Sequence, residues 1–220
     1  MDHSQKQAAI LYIEPNRIFF YESTSGLLQL DLNSEIISDL EVIDKENFYN
    51  IFKTFIDSNG ILPATTVVLI SPSVSFERDF APNEKLEADI QSFLESVPFE
   101  NIVSRAIKMD KKTKVVSVNR DIIELIQEGL DRQKFQLAAA VPLSVLQETI
   151  PELSSNIDLK VILAKVDAIK QYSLLVEEEK RETLTAKKEN PFKNKRLLIL
   201  FGIFGLLLLI LVSLILANVF

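Results

Sequence analysis

Short runs of β-branched and aromatic residues open the chain, and turn residues separate them. Two such runs cover Ala8–Glu14 and Arg17–Glu22, with the dipeptide 15–16 between them. A third run covers 27–32 and follows the turn signal at Gly26. Runs of this composition are typical of strands, and the short connections favour hairpins. The pattern therefore predicts a three-stranded antiparallel meander.

A helix and a buried strand are predicted after the meander. Aromatic and β-branched residues share one face of a helical pattern over Lys45–Ser58, which Asp44 begins as N-cap and Gly60 ends. An N-cap carboxylate accepts a free backbone N–H, and glycine adopts the left-handed conformation that closes a helix. The continuous apolar run over 66–70 predicts a strand that is buried on both faces.

A second group of elements is predicted between residues 73 and 150. Its boundaries come from turn residues, prolines and changes of hydrophobic period. In order, the pattern predicts a strand over 74–80, a helix over 83–96, a hairpin of 102–109 and 113–118, a helix from Asn119 to Leu130, a strand over 135–141 and a short helix over 142–150.

The pattern changes after Pro151. Apolar residues three and four apart predict an amphipathic helix over 156–176, with Asn156 as its N-cap. The spacing also fits a coiled-coil seam. It is short for a coiled coil, so packing of the helix on its own domain is the favoured interpretation. Residues 177–196 are charged and poor in apolar side chains, which is typical of a linker beside a membrane.

An uncharged segment of 21 residues covers 197–217 and consists almost entirely of Leu, Ile, Phe, Val and Ala. At about 1.5 Å per residue, a helix of this length spans roughly 31 Å and matches the hydrocarbon core of a bilayer. A buried core helix is the alternative. So long a run without charge favours a single transmembrane helix.

Basic residues flank this segment on its N-terminal side. Seven basic residues against two acidic ones give 180–196 a net charge of +5, and Lys193, Lys195 and Arg196 lie directly before the apolar run. Such a cluster keeps its side of a span in the cytoplasm. We therefore expect a tail-anchored, single-pass protein of the inner (cytoplasmic) membrane, with the lipid bilayer as one partner and a cytoplasmic N-terminus.

Composition excludes most catalytic chemistries. The chain has no Cys and a single His, at position 3, which excludes disulfides, thiolate nucleophiles and His-ligated metal sites. Only Gly26, Gly60 and Gly129 precede residue 197, so no clustered glycines are present to cradle a phosphate. The sequence therefore nominates no catalytic, metal-binding or cofactor-binding residue, and we expect a protein that is not an enzyme.

Charge narrows the range of partners. The whole chain carries −7, and the segment after residue 196 is uncharged, so the part before residue 180 carries −12. An acidic surface repels phosphates, so nucleic acid is not an expected partner. The same surface favours a basic partner segment.

Several short motifs of the middle segment occur together in a known group of proteins. They are the strand residues 75–80 (SFERDF), the bend Val97-Pro98-Phe99 and the helix start Val118-Asn119-Arg120-Asp121. With the order of elements around them, these motifs resemble the inserted subdomain of the actin-like PilM and GspL group. These proteins belong to the inner-membrane platforms of type IV pili and type II secretion and are relatives of FtsA. The resemblance covers residues 8–150.

The resemblance implies an α/β (α+β) fold, namely a truncated actin-like subdomain with an inserted subdomain of the strand-helix-strand-strand type. Residues 1–72 would form the first actin-like subdomain, to which 142–155 return, and 73–141 would form the insertion. The second actin-like half would be absent. Relatives hold an extended peptide between the first and inserted subdomains, which implies platform subunits with short cytoplasmic segments as partners.

The first turn departs from the pattern of the nucleotide-binding members. These members carry an Asp-x-Gly turn after the first strand and a Lys at the start of the second. Here the corresponding residues are Tyr12, Glu14, Pro15 and Phe19. Proline lacks the N–H that would donate to a phosphate, and the glutamate would repel it. The resemblance therefore implies a degraded nucleotide turn.

Three hypotheses follow for the function. The first is a non-enzymatic, membrane-anchored scaffold of a type IV pilus-like or secretion platform. The second is a half-site actin-like ATPase that another chain completes, and the third is a tail-anchored adaptor unrelated to pili. Homo-oligomerisation, through the helix from Asn156 or through the anchor, is left open.

Overall fold

The computed structural model describes residues 8–23, 26–154 and 158–175 of the 220-residue chain. The chain divides into two units, 1–178 and 179–220, and all described residues belong to the first. The linker expected over 177–196, the helix expected over 197–217 and their flanking Lys193, Lys195 and Arg196 lie outside the described residues. No helix within the described ranges has the length and apolar character needed to cross a membrane.

The described residues contain ten strands and six α-helices, which makes the fold mixed α/β. In chain order these are β1 (Ala8–Glu14), β2 (Arg17–Glu22), β3 (Gly26–Asp31), β4 (Ile37–Ser38), β5 (Glu41–Val42), α1 (Lys45–Ser58), β6 (Thr65–Ile70), β7 (Ser75–Phe80), α2 (Leu86–Glu95), β8 (Ile102–Lys108), β9 (Thr113–Asn119), α3 (Arg120–Arg132), β10 (Gln136–Pro142), α4 (Leu143–Thr149), α5 (Leu159–Ala164) and α6 (Val166–Ile169).

The main sheet has the strand order β10-β6-β1-β2-β3. Strands β1, β2 and β3 pair antiparallel, which confirms the predicted meander. Strands β6 and β10 run parallel to β1, and β6 lies between β1 and β10. The apolar run of β6 is buried as its pattern predicts, because β6 has a neighbour on each side and helices on both faces.

The second sheet has the order β7-β9-β8 and packs against the rest of the unit through a shared core. Its residues Val103, Val116 and Val118 belong to the same buried cluster as Phe48 of α1. Its other face carries α2, where Phe93 packs with buried residues of β7 and β9. The helix expected over 83–96 is shorter in the structure, because α2 begins only at Leu86.

The N-caps of α1 and α3 are confirmed. The side chain of Asp44 accepts from the backbone N–H of Asn47 at 2.9 Å, and that of Asn119 accepts from Asp121 N–H at 2.9 Å. The Asn119 amide also donates to the carbonyl of Leu40 at 2.9 Å. Asn119 therefore fixes both the start of α3 and a distant loop.

That loop is the β4–β5 hairpin, which the sequence pattern does not predict. Its two turn residues, Asp39 and Leu40, have φ values of 51° and 64°. Residues other than glycine rarely adopt this conformation. The hydrogen bond from Asn119 and packing of the hairpin against α3 hold it, and these contacts are distant in sequence.

The region 158–175 differs from the single helix expected over 156–176. It forms α5, α6 and a 3-10 turn, and the observed N-cap is Asp158, whose side chain accepts from the N–H groups of Lys160 and Val161. The backbone leaves the helical region at Lys165 (φ −111°, ψ 18°). Ile162 and Ile169 are both buried on the second face of the main sheet, so packing on the sheet decides this shape.

Gly129 of α3 lies against the ring of Phe48. A Cβ atom built at this glycine would lie 2.9 Å from Phe48 Cε1, closer than real Cβ contacts. We expect Gly129→Ala to lower the free energy of unfolding by about 1 kcal/mol. Overpacking costs about 1–3 kcal/mol and exceeds the helix propensity of about 1 kcal/mol that alanine contributes.

Urea unfolding of the full chain in detergent measures this change. In a Phe48→Leu background, the Phe48 ring that Gly129→Ala would contact is gone, so we expect Gly129→Ala to be neutral or stabilising there. An equal loss in both backgrounds would contradict the steric explanation.

Candidate functional site

The three parallel strands of the main sheet end at the same edge, where open α/β sheets usually bind ligands. Strand β1 ends at Glu14, β6 at Ile70 and β10 at Pro142. A proline stands at or within two residues of each end, at positions 15, 72 and 142. Because proline has no backbone N–H, this edge is poor in the donors that a phosphate needs.

The turn from β1 to β2 consists of the two residues Pro15 and Asn16, and Glu14 pairs with Arg17 across it. The Arg17 Nε atom lies 3.0 Å from Glu14 Oε2, and its guanidinium carbon lies 5.9 Å from the centre of the Phe19 ring. The position where a nucleotide-binding relative would offer glycine therefore holds an ion pair on a tight turn.

Tyr12 and Phe19 stack beside this turn. Their ring centres are 6.2 Å apart and their planes differ by 22°. The register aligns Tyr12 with Phe19 and Glu14 with Arg17, so these side chains share one face of the sheet. Of the residues that the sequence assigns to the degraded turn, Tyr12, Glu14 and Phe19 line one wall of an apolar groove, whereas Pro15 does not line it.

The groove lies over the meander, on the sheet face opposite α1 and α3, and has a volume of about 300 Å³. Leu27 of the edge strand is 59% exposed, although it is apolar. The lining residues are Ile10, Tyr12, Glu14, Phe19, Tyr21, Leu27 and Leu159. An apolar groove with one ion pair at its end suits an apolar or aromatic side chain with a charged neighbour.

Sequence reasoning did not nominate Ile10, Leu27 or Leu159 as residues of a site. Ile10 alternates with Tyr12 and Glu14 along β1, and Leu27 lies opposite Tyr21 in the pairing of β2 with β3. No local signal identifies Leu159, since α5 reaches the groove only through the tertiary fold.

A cluster of charges links the second sheet to α4. Lys114 of β9 is almost fully buried, and its Nζ atom lies 3.0 Å from Asp79 Oδ1 and 2.9 Å from Glu148 Oε1. Glu77 lies further away, at 3.8 Å. Lys112 also contacts Asp79 and Glu148, each at 2.6 Å. The cluster joins β7 and β9 to α4, next to the core that the two sheets share.

The two lysines control the ionisation of the carboxylates. Burial raises the pKa of Asp79 and Glu148, but hydrogen bonds from Lys112 and Lys114 and the lysine charges outweigh it and hold each pKa below its usual value. These carboxylates therefore stay ionised near neutral pH and act as structural ion-pair partners. Among the described residues, no group of three His, Cys, Asp or Glu side chains is placed to hold a metal ion.

No protein-family model matches the sequence, and no curated protein matches it. The solved structures that are similar to the chain include the following three. The first is the cytoplasmic domain of EpsL, an inner-membrane component of the type II secretion system of Vibrio cholerae, at 14% identity and a TM-score of 0.40 over 64% of this chain and 58% of that one. The second is the PilM-PilN type IV pilus biogenesis complex, at 10% identity and 0.43 over 64% and 48%.

The third is a Bacteroides thetaiotaomicron protein with an actin-like ATPase fold and unknown function, at 12% identity and a TM-score of 0.40 over 67% of this chain and 58% of that one. The chain spans about half to three-fifths of the length of these solved chains.

Proposed function

We propose that this protein is a non-enzymatic scaffold of a type IV pilus-like or secretion platform, which docks a cytoplasmic segment of a partner subunit. The observation that carries the proposal is the apolar groove over β1, β2 and β3, which stands beside the turn where a relative would bind nucleotide. The motifs within residues 75–121, which resemble those of the PilM and GspL group, support the assignment to a pilus-like or secretion platform. The docking role comes from the chemistry of the groove.

The lining of the groove favours a protein segment as its occupant. Tyr12, Phe19 and Tyr21 offer large, rigid contact surfaces, and aromatic residues of this kind are typical of binding hot spots. Leu27 is exposed at the open side, where a partner would cover it. This site differs from the peptide site that the resemblance implies, because it lies on the meander and not between the two sheets.

The carboxyl edge of the sheet supports a role without nucleotide. Pro15, Pro72 and Pro142 offer no N–H donors at the three strand ends, and Glu14 adds a negative charge beside them. A phosphate at this edge would meet a carboxylate and few backbone donors. The half-site ATPase is therefore the less favoured function.

We further propose that residues 197–217 tether the protein to the inner membrane, with its N-terminal part in the cytoplasm. The uncharged length of this segment and the basic residues Lys193, Lys195 and Arg196 before it support this topology. A tether would concentrate the groove beside membrane subunits that expose only short cytoplasmic segments.

Co-purification tests the proposal. We expect the tagged full chain, extracted in detergent from its own cells, to recover a pilus or secretion subunit, and Leu27→Lys to abolish this recovery because a charge would enter the groove. The matched control is Leu62→Lys, at a leucine that is 63% exposed but lies outside the groove. Recovery of no platform subunit by the unmodified chain would refute the scaffold role.

Titration with a fluorescent ATP analogue tests the alternative. We expect no saturable binding by the full chain in detergent, with or without Mg²⁺. Saturable binding that Glu14→Ala alters would instead favour the half-site ATPase.

A further inference from the structure

Within the described residues, one edge of the main sheet is covered by another segment and the opposite edge is open. At the β10 edge, the N–H of Leu174 donates to the carbonyl of Ala140 at 2.8 Å, and the N–H of Ala140 donates to Ser173 Oγ at 3.0 Å. Arg105 of β8 holds this covering segment by donating to the carbonyl of Ser173 at 2.5 Å. At the opposite edge, β3 pairs only with β2 within the described residues.

The hydrogen-bond register shows which backbone groups β3 presents outward. The N–H of Leu32 donates to the carbonyl of Asn16 at 2.8 Å, directly after the paired residues Arg17 and Asp31. In an antiparallel ladder, hydrogen-bonded and non-hydrogen-bonded pairs alternate. The backbone N–H and carbonyl groups of residues 27, 29 and 31 therefore point away from β2, toward the open edge.

The side chains of the same three residues lie on the groove face. Leu27 lines the groove itself, and Gln29 and Asp31 follow it at strand periodicity, opposite Phe19 and Arg17. All three are exposed. A strand added at this edge would bond to residues 27, 29 and 31 and place its alternate side chains over the groove.

Charge indicates the chemistry of the added strand. The edge strand has no Lys or Arg, the residues that proteins commonly use to protect an open edge. Asp31 is exposed at the end of β3, and Arg17, its partner in the register, lies 3.0 Å from Glu14, so this corner of the sheet holds two carboxylates and one guanidinium. An approaching basic segment is therefore attracted to the end of β3, and an acidic segment is repelled.

We infer that β3 accepts an extended partner segment as a sixth strand of the main sheet, with an apolar side chain in the groove and a Lys or Arg two residues away toward Asp31. The inference rests on the proposed scaffold function and adds the mode and the chemistry of binding. Backbone hydrogen bonds supply affinity, while the groove and the acidic end of β3 set the register and direction of the partner.

A synthetic peptide tests this mode directly. The probe is the fluorescein-labelled nonapeptide Thr-Leu-Thr-Phe-Thr-Lys-Thr-Lys-Thr, in which Leu, Phe and both Lys residues share one strand face. Its binding to the full chain in detergent micelles is measured by fluorescence anisotropy. We expect saturable binding that weakens as the salt concentration rises, and at least tenfold weaker binding when both Lys residues are replaced by Glu.

Variants of the edge strand separate backbone pairing from side-chain contact. We expect Gln29→Pro to weaken binding about tenfold, because it removes one outward N–H and blocks the edge. Gln29→Ala, the matched control, keeps the N–H and should bind as the unmodified chain does. Leu27→Lys should weaken binding at least tenfold, whereas Leu62→Lys should not change it.

A modified probe guards against misfolding of the proline variant. Two versions of the peptide carry methyl groups on alternate backbone nitrogens, one on the odd positions and one on the even positions. Only one of these two sets of nitrogens can face β3, so we expect one methylated peptide to lose binding to the unmodified chain and the other to retain it. Equal binding of both methylated peptides, unchanged binding to Gln29→Pro, or no binding to the unmodified chain would overturn the inference.

The failure of this inference is distinguishable from failure of the scaffold function. If the full chain still recovers a platform subunit while Gln29→Pro recovers the same amount, the scaffold function stands and strand addition at β3 is wrong. A photo-crosslink from position 29 to residues 180–196 of the same chain would also overturn the inference, because the occupant would then be internal.

Discussion

Phe48→Ala is expected to lower the free energy of unfolding by about 3–5 kcal/mol, the usual cost of deleting a fully buried aromatic ring. The Phe48 side chain is 0% exposed and stacks on Phe52 with ring centres 5.5 Å apart. It also meets the ring of Tyr49 edge-on at 5.8 Å and packs against Gly129 of α3. Its loss would leave a cavity between α1 and α3 that rigid neighbours on both helices cannot fill.

Urea or thermal unfolding of the full chain in detergent, followed by circular dichroism, measures this loss. Phe19→Ala is the matched control, because this ring lies half-buried on the groove and not in the core. We expect a loss of less than about 1 kcal/mol from the control. Equal losses from both variants would show that the groove wall is part of the stabilising core.

Lys114→Met is expected to lower the free energy of unfolding by about 2–3 kcal/mol near neutral pH. The lysine side chain is 8% exposed and contacts carboxylates of both β7 and α4. Removing one partner of a buried ion pair leaves the other charges uncompensated and costs about 3–5 kcal/mol when all are buried. Asp79 and Glu148 are 43% and 35% exposed, so water screens them and the loss is smaller.

Lys53→Met provides the matched control for this substitution. Lys53 pairs with Asp57 on the surface of α1, and both side chains are more than half exposed. Exposed pairs contribute about 0–1 kcal/mol, so we expect little change in stability. A loss at Lys53 as large as that at Lys114 would contradict the role assigned to burial.

The same cluster predicts how stability depends on pH. Burial raises the pKa of Asp79 and of Glu148, but hydrogen bonding and charge from Lys112 and Lys114 lower each pKa below its unfolded value. Groups with a lowered folded-state pKa stabilise the protein above the unfolded pKa, which is about 4, and this contribution is lost as the pH falls through the folded-state pKa. We therefore expect a smaller acid-induced loss of stability in Lys114→Met than in the unmodified chain, measured as the melting temperature between pH 7 and pH 3.

Local signals explain how much of the fold the sequence predicts. The meander, α1 and α3 are predicted correctly because their caps and periodicity lie within each segment, as Asp44 and Asn119 show. The β4–β5 hairpin is missed because Asp39 and Leu40 adopt positive φ values, and the contacts that hold the hairpin, from the Asn119 side chain and from α3, are distant in sequence. The break at Lys165 is also missed, because the spacing of apolar residues on both sides of it fits a continuous helix.

For the candidate site, the sequence likewise predicts the local chemistry but not which residues the fold brings together. Sequence alone singles out Glu14 and Pro15 as unsuited to phosphate, since that inference needs only the chemistry of the residues. It does not place Pro72 and Pro142 at the same edge, because three parallel strands with long connections must first be ordered. Nor does it place Leu159 in the groove, since that contact arises from α5 packing across the sheet.

Composition limits the chemistry of this protein before any fold is considered. The absence of cysteine, the scarcity of glycine, the acidic charge of the first part and the uncharged length of 197–217 are properties of composition and need no fold. Tertiary structure alone decided which edge of the main sheet is covered by Ser173 and Leu174 and which edge, at β3, is open within the described residues. The physical reason is that an edge is a property of strand order, and strand order is set by contacts between residues far apart in the chain.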